Sequence, residues 1–209
     1  MKTLLLTGFE PFDHDVVNPS WEAVRLLEGV ELSEDVRIVA RQLPCAFATA
    51  AEILIQLIEE LKPVMVIATG LGPGRSDISI ERVAINVNDA RIPDNLGAQP
   101  IDTAVVEGGP AAYFSTLPIK SMVRAVREAG IAASVSQTAG TFVCNQVFYR
   151  LQHALVGSAV RSGFIHVPGL PESGQPSMAL TILVEGLRVA VSTAWHTRAD
   201  IVETGGRVS

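Results

Sequence analysis

The run Val64-Met65-Val66-Ile67-Ala68 is apolar throughout, and it sits between Pro63 and a glycine-rich turn that begins at Gly70. A strand of that kind is buried on both faces, so it needs a covering layer above and another below. The segment before it supplies one. From Pro44 onward, Ala51, Leu54, Ile55, Ile58 and Leu61 recur at helical spacing until Pro63 stops the pattern;. A helix feeding a doubly buried strand is the repeating unit of an α/β layered fold.

The rest of the chain extends that unit. Residues 2–7 read as a buried first strand, since the apolar run is too short for a leader and has no cleavage pattern;. Asn18 has the character of an N-cap with Pro19 at the first helical position, opening a helix to about Glu28;. Val36–Ala40 reads as a strand, and 76–87 alternates like a hairpin;. The section 88–117, rich in Asp, Asn, Pro and Gly, reads as a long ordered loop or small hairpin;. Pro118–Ala129 is a helix stopped by Gly130, Ala132–Ser136 a strand, Asn145–Leu155 a helix and Gly163–Pro168 a strand;. Pro176 opens a last helix of about twenty residues, with a polar stripe so narrow that it should be covered on nearly all sides;. The polar tail 197–209 is expected to fray;. The expectation is one domain over 1–209, a three-layer α/β/α sandwich with a twisted, mostly parallel mixed sheet.

Composition removes several function classes. Charged residues make up 18% of the chain, below the ordinary level of about 25%;. The net charge is −6 and no basic cluster exceeds two residues, so nothing marks a DNA, RNA or anionic-lipid surface;. Two distant cysteines make no disulfide scaffold, which points to a reducing cytoplasm;. No cofactor or metal is called for. The Gly70–Arg75 turn lacks the following helix that a phosphate loop requires;.

The chemistry gathers around Thr138–Gln146. There a strand hands over to a helix, and Cys144 lies at the helix entrance, where free N–H groups and the helix dipole favour a thiolate;. A cysteine nucleophile needs an imidazole, an orienting acid and donors for the oxyanion. Of the four histidines, His14, His153 and His196 lie in a loop, on a helix and near the tail, whereas His166 closes a strand. Carboxyl ends of strands are where α/β folds gather reactive groups, and Cys144 and His166 both follow such ends. Glu81 is a carboxylate out of place in the alternation Ile78–Ile85;. Inert burial is the ordinary reading of a lone cysteine; it suits Cys45, and for Cys144 it competes with the nucleophile.

These blocks together resemble the pyroglutamyl peptidase I family of cysteine peptidases. The likeness runs from Thr7 to about Pro168, through Thr7–Phe12, Asn18–Ser20, Gly74-Arg75, Ile80–Asn86, Ile92–Asn95, Leu117-Pro118, Ala139–Asn145 and Ile165–Pro168. The resemblance implies a Cys144, His166 and Glu81 triad, with an oxyanion hole from the Cys144 N–H and Arg91. It implies an apolar slot for the pyroglutamyl lactam, formed by Phe9, Phe12, Phe142 and Val143 with a polar contact from Asn18. It also implies N-terminally pyroglutamylated peptides as substrates and a homo-oligomer, dimer or tetramer. The chain departs from the family pattern at Cys45, Leu71 and Pro73, none of them in the triad. Two other readings fit a subset of these features: a cysteine amidase for another small lactam, and a non-catalytic lactam-binding protein.

Overall fold

The computed structural model describes residues 1–13, 15–174 and 176–206. In chain order the elements are β1 (Lys2–Phe9), α1 (Pro19–Arg25), β2 (Glu31–Ser33), β3 (Val36–Leu43), α2 (Ala50–Leu61), β4 (Met65–Leu71) and β5 (Ile78–Glu81). They continue with β6 (Val83–Ile85), β7 (Ala112–Phe114), α3 (Ile119–Glu128), β8 (Ala133–Ser136), α4 (Val143–Ala154), β9 (Arg161–Val167) and α5 (Leu180–His196).

Seven strands form one mixed sheet in the order β2-β3-β1-β4-β9-β5-β8. The β1–β3, β1–β4, β4–β9 and β5–β8 pairings are parallel, while β2–β3 and β5–β9 are antiparallel. The doubly buried strand lies in the middle of this sheet, with Met65 to Ala68 fully enclosed. Alternate residues feed two cores. Leu4, Leu6, Met65, Ile67, Ile80 and Ile165 pack with residues of α1, α3 and α5. Leu5, Val66, Ala68 and Phe164 pack with residues of α2 and α4. The expected three-layer α/β/α sandwich is therefore present, and period-two alternation explains which layer each residue joins.

Some boundaries differ from the sequence reading. Residues 76–87 do not form a hairpin: β5 enters the main sheet, and β6 leaves it to pair with β7. Helix α2 starts at Ala50 rather than Pro44, because carboxylates from other loops hold the intervening backbone. The Cys45 N–H donates to Glu10 Oε1 at 3.0 Å and the Phe47 N–H to Asp94 Oδ2 at 2.7 Å. Helix α1 stops at Arg25, and α5 starts at Leu180 rather than Pro176. The last helix is covered on one side only, since Ile182, Glu185 and Arg188 remain exposed. The tail is tied down as far as Gly205. Asp200 caps α3 by accepting from the Lys120 and Ser121 N–H groups at 3.0 and 2.8 Å, and Gln137 donates to the Gly205 carbonyl. Residues 207–209 lie outside the described residues.

Candidate active site

His166 and Glu81 meet across β9 and β5. The imidazole Nδ1 lies 2.7 Å from Glu81 Oε1, and both residues are buried. Both face the α2/α4 side of the sheet. His166 is the register partner of Ser79, and Glu81 follows Ser79 by two residues, the period of a strand;. A carboxylate on Nδ1 fixes the tautomer that leaves Nε2 as the working nitrogen. Burial pushes the imidazole pKa below its ordinary value; the hydrogen bond and charge of Glu81 pull it back up, and Arg75 opposes that pull.

Arg75 is the member that sequence reasoning missed. Its Nη1 lies 2.9 Å from Glu81 Oε1, and its Nη2 donates to the Thr138 carbonyl at 3.2 Å. A carboxylate buried without a counter-charge would be costly. Arg75 supplies that charge and ties the acid to the loop that carries the nucleophile. The chain makes room for it at Gly72, where a Cβ would stand 2.6 Å from Arg75 Cδ. The signal lay in a lone carboxylate within an apolar strand, which demands a cation, but sequence spacing alone could not choose between Arg75 and Arg82.

Cys144 is the second residue of α4, and its N–H has no acceptor within the helix;. Its Sγ sits over the end of β4, where a Cβ on Gly70 would come within 2.7 Å of the sulfur. Gly70 is the register partner of His166, so the thiol lies over the strand that neighbours the one bearing the imidazole, on the same face. The route differs from the expected one. Strand β8 runs antiparallel to β9, so their carboxyl ends lie at opposite edges of the sheet. Residues 137–142 lead from the end of β8 to Cys144, whose Sγ lies over Gly70, the register partner of His166. Nor does the helix entrance secure a resting thiolate. Burial pushes the thiol pKa far above its ordinary value, Cys45 and Glu81 add to this, and Arg75 opposes them.

The loop that carries Cys144 is pinned from several sides. The Asp89 N–H donates to the Thr141 carbonyl at 3.0 Å, and the Thr141 hydroxyl returns a bond to the Asp89 carbonyl at 2.7 Å. The buried Asn145 side chain accepts from the Ile85 N–H and donates to the Ile85 and Val87 carbonyls. Arg91, two residues beyond Asp89 on the adjoining loop, is exposed.

An apolar cluster borders the thiol. Phe9, Cys45 and Val143 are among its buried members, with Phe12, Phe47, Phe142 and Cys144 among those at its half-buried margin. The Phe142 ring packs between Phe12 and Phe47, each centroid 5.1 Å away. Phe47 was not singled out from the sequence; it is positioned by Gln146 on the first turn of α4, which donates to its carbonyl at 3.0 Å. Asn18 is bonded within the first loop and helix α1. Its side-chain oxygen accepts from the Ser20 N–H and hydroxyl, and its amide donates to the Glu10 carbonyl. These bonds make it the brace of the Phe9–Phe12 loop, not an open polar contact. Of the other histidines, His153 shares a bond with the Tyr113 hydroxyl, His196 bonds its own helix, and His14 lies outside the described residues.

A half-buried thiol and a buried imidazole–carboxylate pair thus lie on the same side of the sheet as an aromatic cluster. The family model for pyroglutamyl peptidase matches residues 1–197. The chain belongs to the pyroglutamyl peptidase family. It is 76% identical to a pyrrolidone-carboxylate peptidase of Pseudomonas fluorescens, with both chains fully covered. It is 61% identical, again with full coverage of both, to one from Cupriavidus necator. Among solved structures, pyroglutamyl peptidase I from Bacillus amyloliquefaciens superposes with a TM-score of 0.93 at 45% identity, covering 98% of this chain and 99% of that one. Pyrrolidone carboxyl peptidase from Thermococcus litoralis gives 0.93 at 37% identity, covering 98% and 100%.

Proposed function

We propose that this chain is a cysteine-type peptidase that removes N-terminal pyroglutamate, with Cys144 as nucleophile, His166 as acid and base, and Glu81 as the orienting carboxylate. The observation that carries the residue roles is the buried 2.7 Å contact between His166 and Glu81 beside a thiol held over Gly70. At rest the pair is a thiol and a neutral imidazole, because burial disfavours both charged forms;. Attack begins when His166 Nε2 takes the thiol proton and Sγ adds to the carbonyl that joins pyroglutamate to the next residue. Glu81 stabilises the imidazolium, and Arg75 keeps Glu81 balanced and aimed. The imidazolium then protonates the leaving amine as the C–N bond breaks. Water, deprotonated by His166, hydrolyses the thioester and returns the thiol.

The Cys144 N–H and the Arg91 guanidinium serve the oxyanion, a role that suits a helix-entrance amide and an arginine on an adjoining loop. Phe12, Phe142 and Phe47 clasp the flat lactam, with Phe9 and Val143 as its backing. Pyroglutamate has no α-ammonium, so an aromatic slot replaces the anionic anchor of an ordinary aminopeptidase. Substrates are N-terminally pyroglutamylated peptides. A homo-oligomeric, cytoplasmic enzyme fits the exposed apolar residue Ile182 on α5 and the two free cysteines. No helix among the described residues is long and apolar enough to cross a membrane.

The test is selectivity among anilides. Release of p-nitroaniline from the pyroglutamyl derivative, with none from the prolyl or alanyl ones, is expected. Equal turnover of all three would replace this reading with a broader amidase.

A further inference from the structure

Strand order sets a direction for the reaction. On the α2/α4 side of the sheet, the aromatic slot gathers at the ends of β1 and β3, through Phe9 and Phe47. The thiol lies over β4, the imidazole rises from β9 and the carboxylate from β5. If the acyl group lies on the slot side of Cys144, the leaving amine must lie on the His166 side, because His166 protonates it. The remainder of the peptide then extends over β5 toward the edge strand β8.

A cavity of about 470 Å³ occupies that position, within the range of about 300–1,000 Å³ typical of ligand sites. Arg75 forms its border with the catalytic groups, and Ser76, Ser79, Ser134, Ser136 and Thr138 contribute to its wall. Register explains the chemistry of this wall. Ser134 pairs with Ser79 and Ser136 with Glu81, so the two β8 hydroxyl residues share the sheet face of His166. Ala133 and Val135 join the apolar core on the other face, and at this edge strand Val135 also reaches the lining of the cavity. The recess has no aromatic anchor, and Asp77 also lines it. The Ser79 and Ser136 hydroxyls already donate to Asp77 Oδ1 and the Thr138 carbonyl, so their oxygens remain as acceptors for peptide N–H groups. Ser76 and Ser134 can also donate to peptide C=O groups;.

We infer that this cavity holds the main chain of the first two residues of the leaving peptide, a primed-side site beginning at Arg75. The inference rests on the assignment of Cys144 and His166 given above. It makes recognition beyond the scissile bond depend on peptide length and little on side-chain type.

The test compares kcat/KM for pyroglutamyl-Ala-Ala-amide with that for pyroglutamyl-p-nitroanilide, which has no second leaving residue. Filling the cavity with Ser134→Leu, and independently from the opposite rim with Ser76→Leu, should lower the peptide-to-anilide ratio at least tenfold. A ratio unchanged in whichever variants fold would overturn the site. Absence of anilide turnover by the parent enzyme would instead strike the underlying catalytic assignment, so the two failures are told apart.

Discussion

His166 Nδ1 lies 2.7 Å from Glu81 Oε1, joined across two antiparallel strands and shielded from water on both sides. The pair fixes a tautomer and stores a place for the imidazolium charge. Glu81→Ala should therefore lower kcat/KM by about 10²–10⁴-fold, the range set by loss of an orienting acid or of acid–base catalysis. Steady-state kinetics on the pyroglutamyl anilide, with circular dichroism to verify the fold, measure it. A loss under threefold would remove Glu81 from the mechanism.

Arg75 acts on both titrating partners in the same sense. It lowers the pKa of His166 and that of Cys144, though in each case burial is the larger influence. Removing the guanidinium by Arg75→Ala raises both. The acid limb of the kcat/KM profile, which reports His166 losing its proton, should move to higher pH, and any alkaline limb due to Cys144 should move the same way. Arg75→Lys should restore part of the shift. A purely structural role would lower activity without moving either limb.

Stability carries the same sign. His166 has a folded-state pKa below its ordinary value of 6.5, so the folded protein binds its proton less readily than the unfolded chain does;. Its contribution is intact above that value and is lost as pH falls below it. Thermal melts from pH 8 down to pH 5 should show Tm falling, and His166→Gln should flatten part of that fall.

Cys144 and Phe164 leave no room for a side chain at Gly70. A Cβ there would approach Cys144 Sγ to 2.7 Å. Gly70→Ala should displace the thiol and reduce kcat at least tenfold, with a change in stability of about 1 kcal/mol, since no left-handed backbone is involved. Unchanged kcat in a folded variant would mean that the sulfur is not held where the structure places it.

The two cysteines should respond differently to alkylation. Burial raises both thiol pKa values, that of Cys45 to about 12 with Glu10 and Asp94 adding to it, so access and a neighbouring base, not resting acidity, separate them: Cys45 is buried. Cys144 is half-buried and, in the proposed mechanism, has His166 as its base;. Iodoacetamide near neutral pH should add one label per chain, at Cys144, in step with loss of activity. Peptide mapping that finds the label on Cys45 would reverse the assignment.

Much of this site was legible in the sequence because chemistry left residues out of place. Glu81 stood in an apolar alternation and His166 at a strand end, and both proved to be buried neighbours. The Val64–Ala68 run announced the two-sided burial, and Asn18 announced the cap of α1, which its bond to the Ser20 N–H supplies. What remained hidden depended on long-range pairing. Nothing local distinguishes a β5 that enters the main sheet from one arm of a hairpin, or reveals that β8 opposes β9. The polar tail was read as frayed because polarity was its only local property; residues 200–205 are held by Asp200 capping a helix far away in sequence and by the bond from Gln137 to Gly205. Arg75 and Phe47 were passed over for the same reason, since their partners Glu81, Thr138 and Phe142 are assembled only by the fold.

The central claim is that one thiol does the chemistry. Cys144→Ala removes Sγ and little else, so the protein should fold with an unchanged melting profile. Its release of p-nitroaniline from the pyroglutamyl anilide should fall to the uncatalysed background. Turnover above a few per cent of the parent rate in that folded variant would contradict the account.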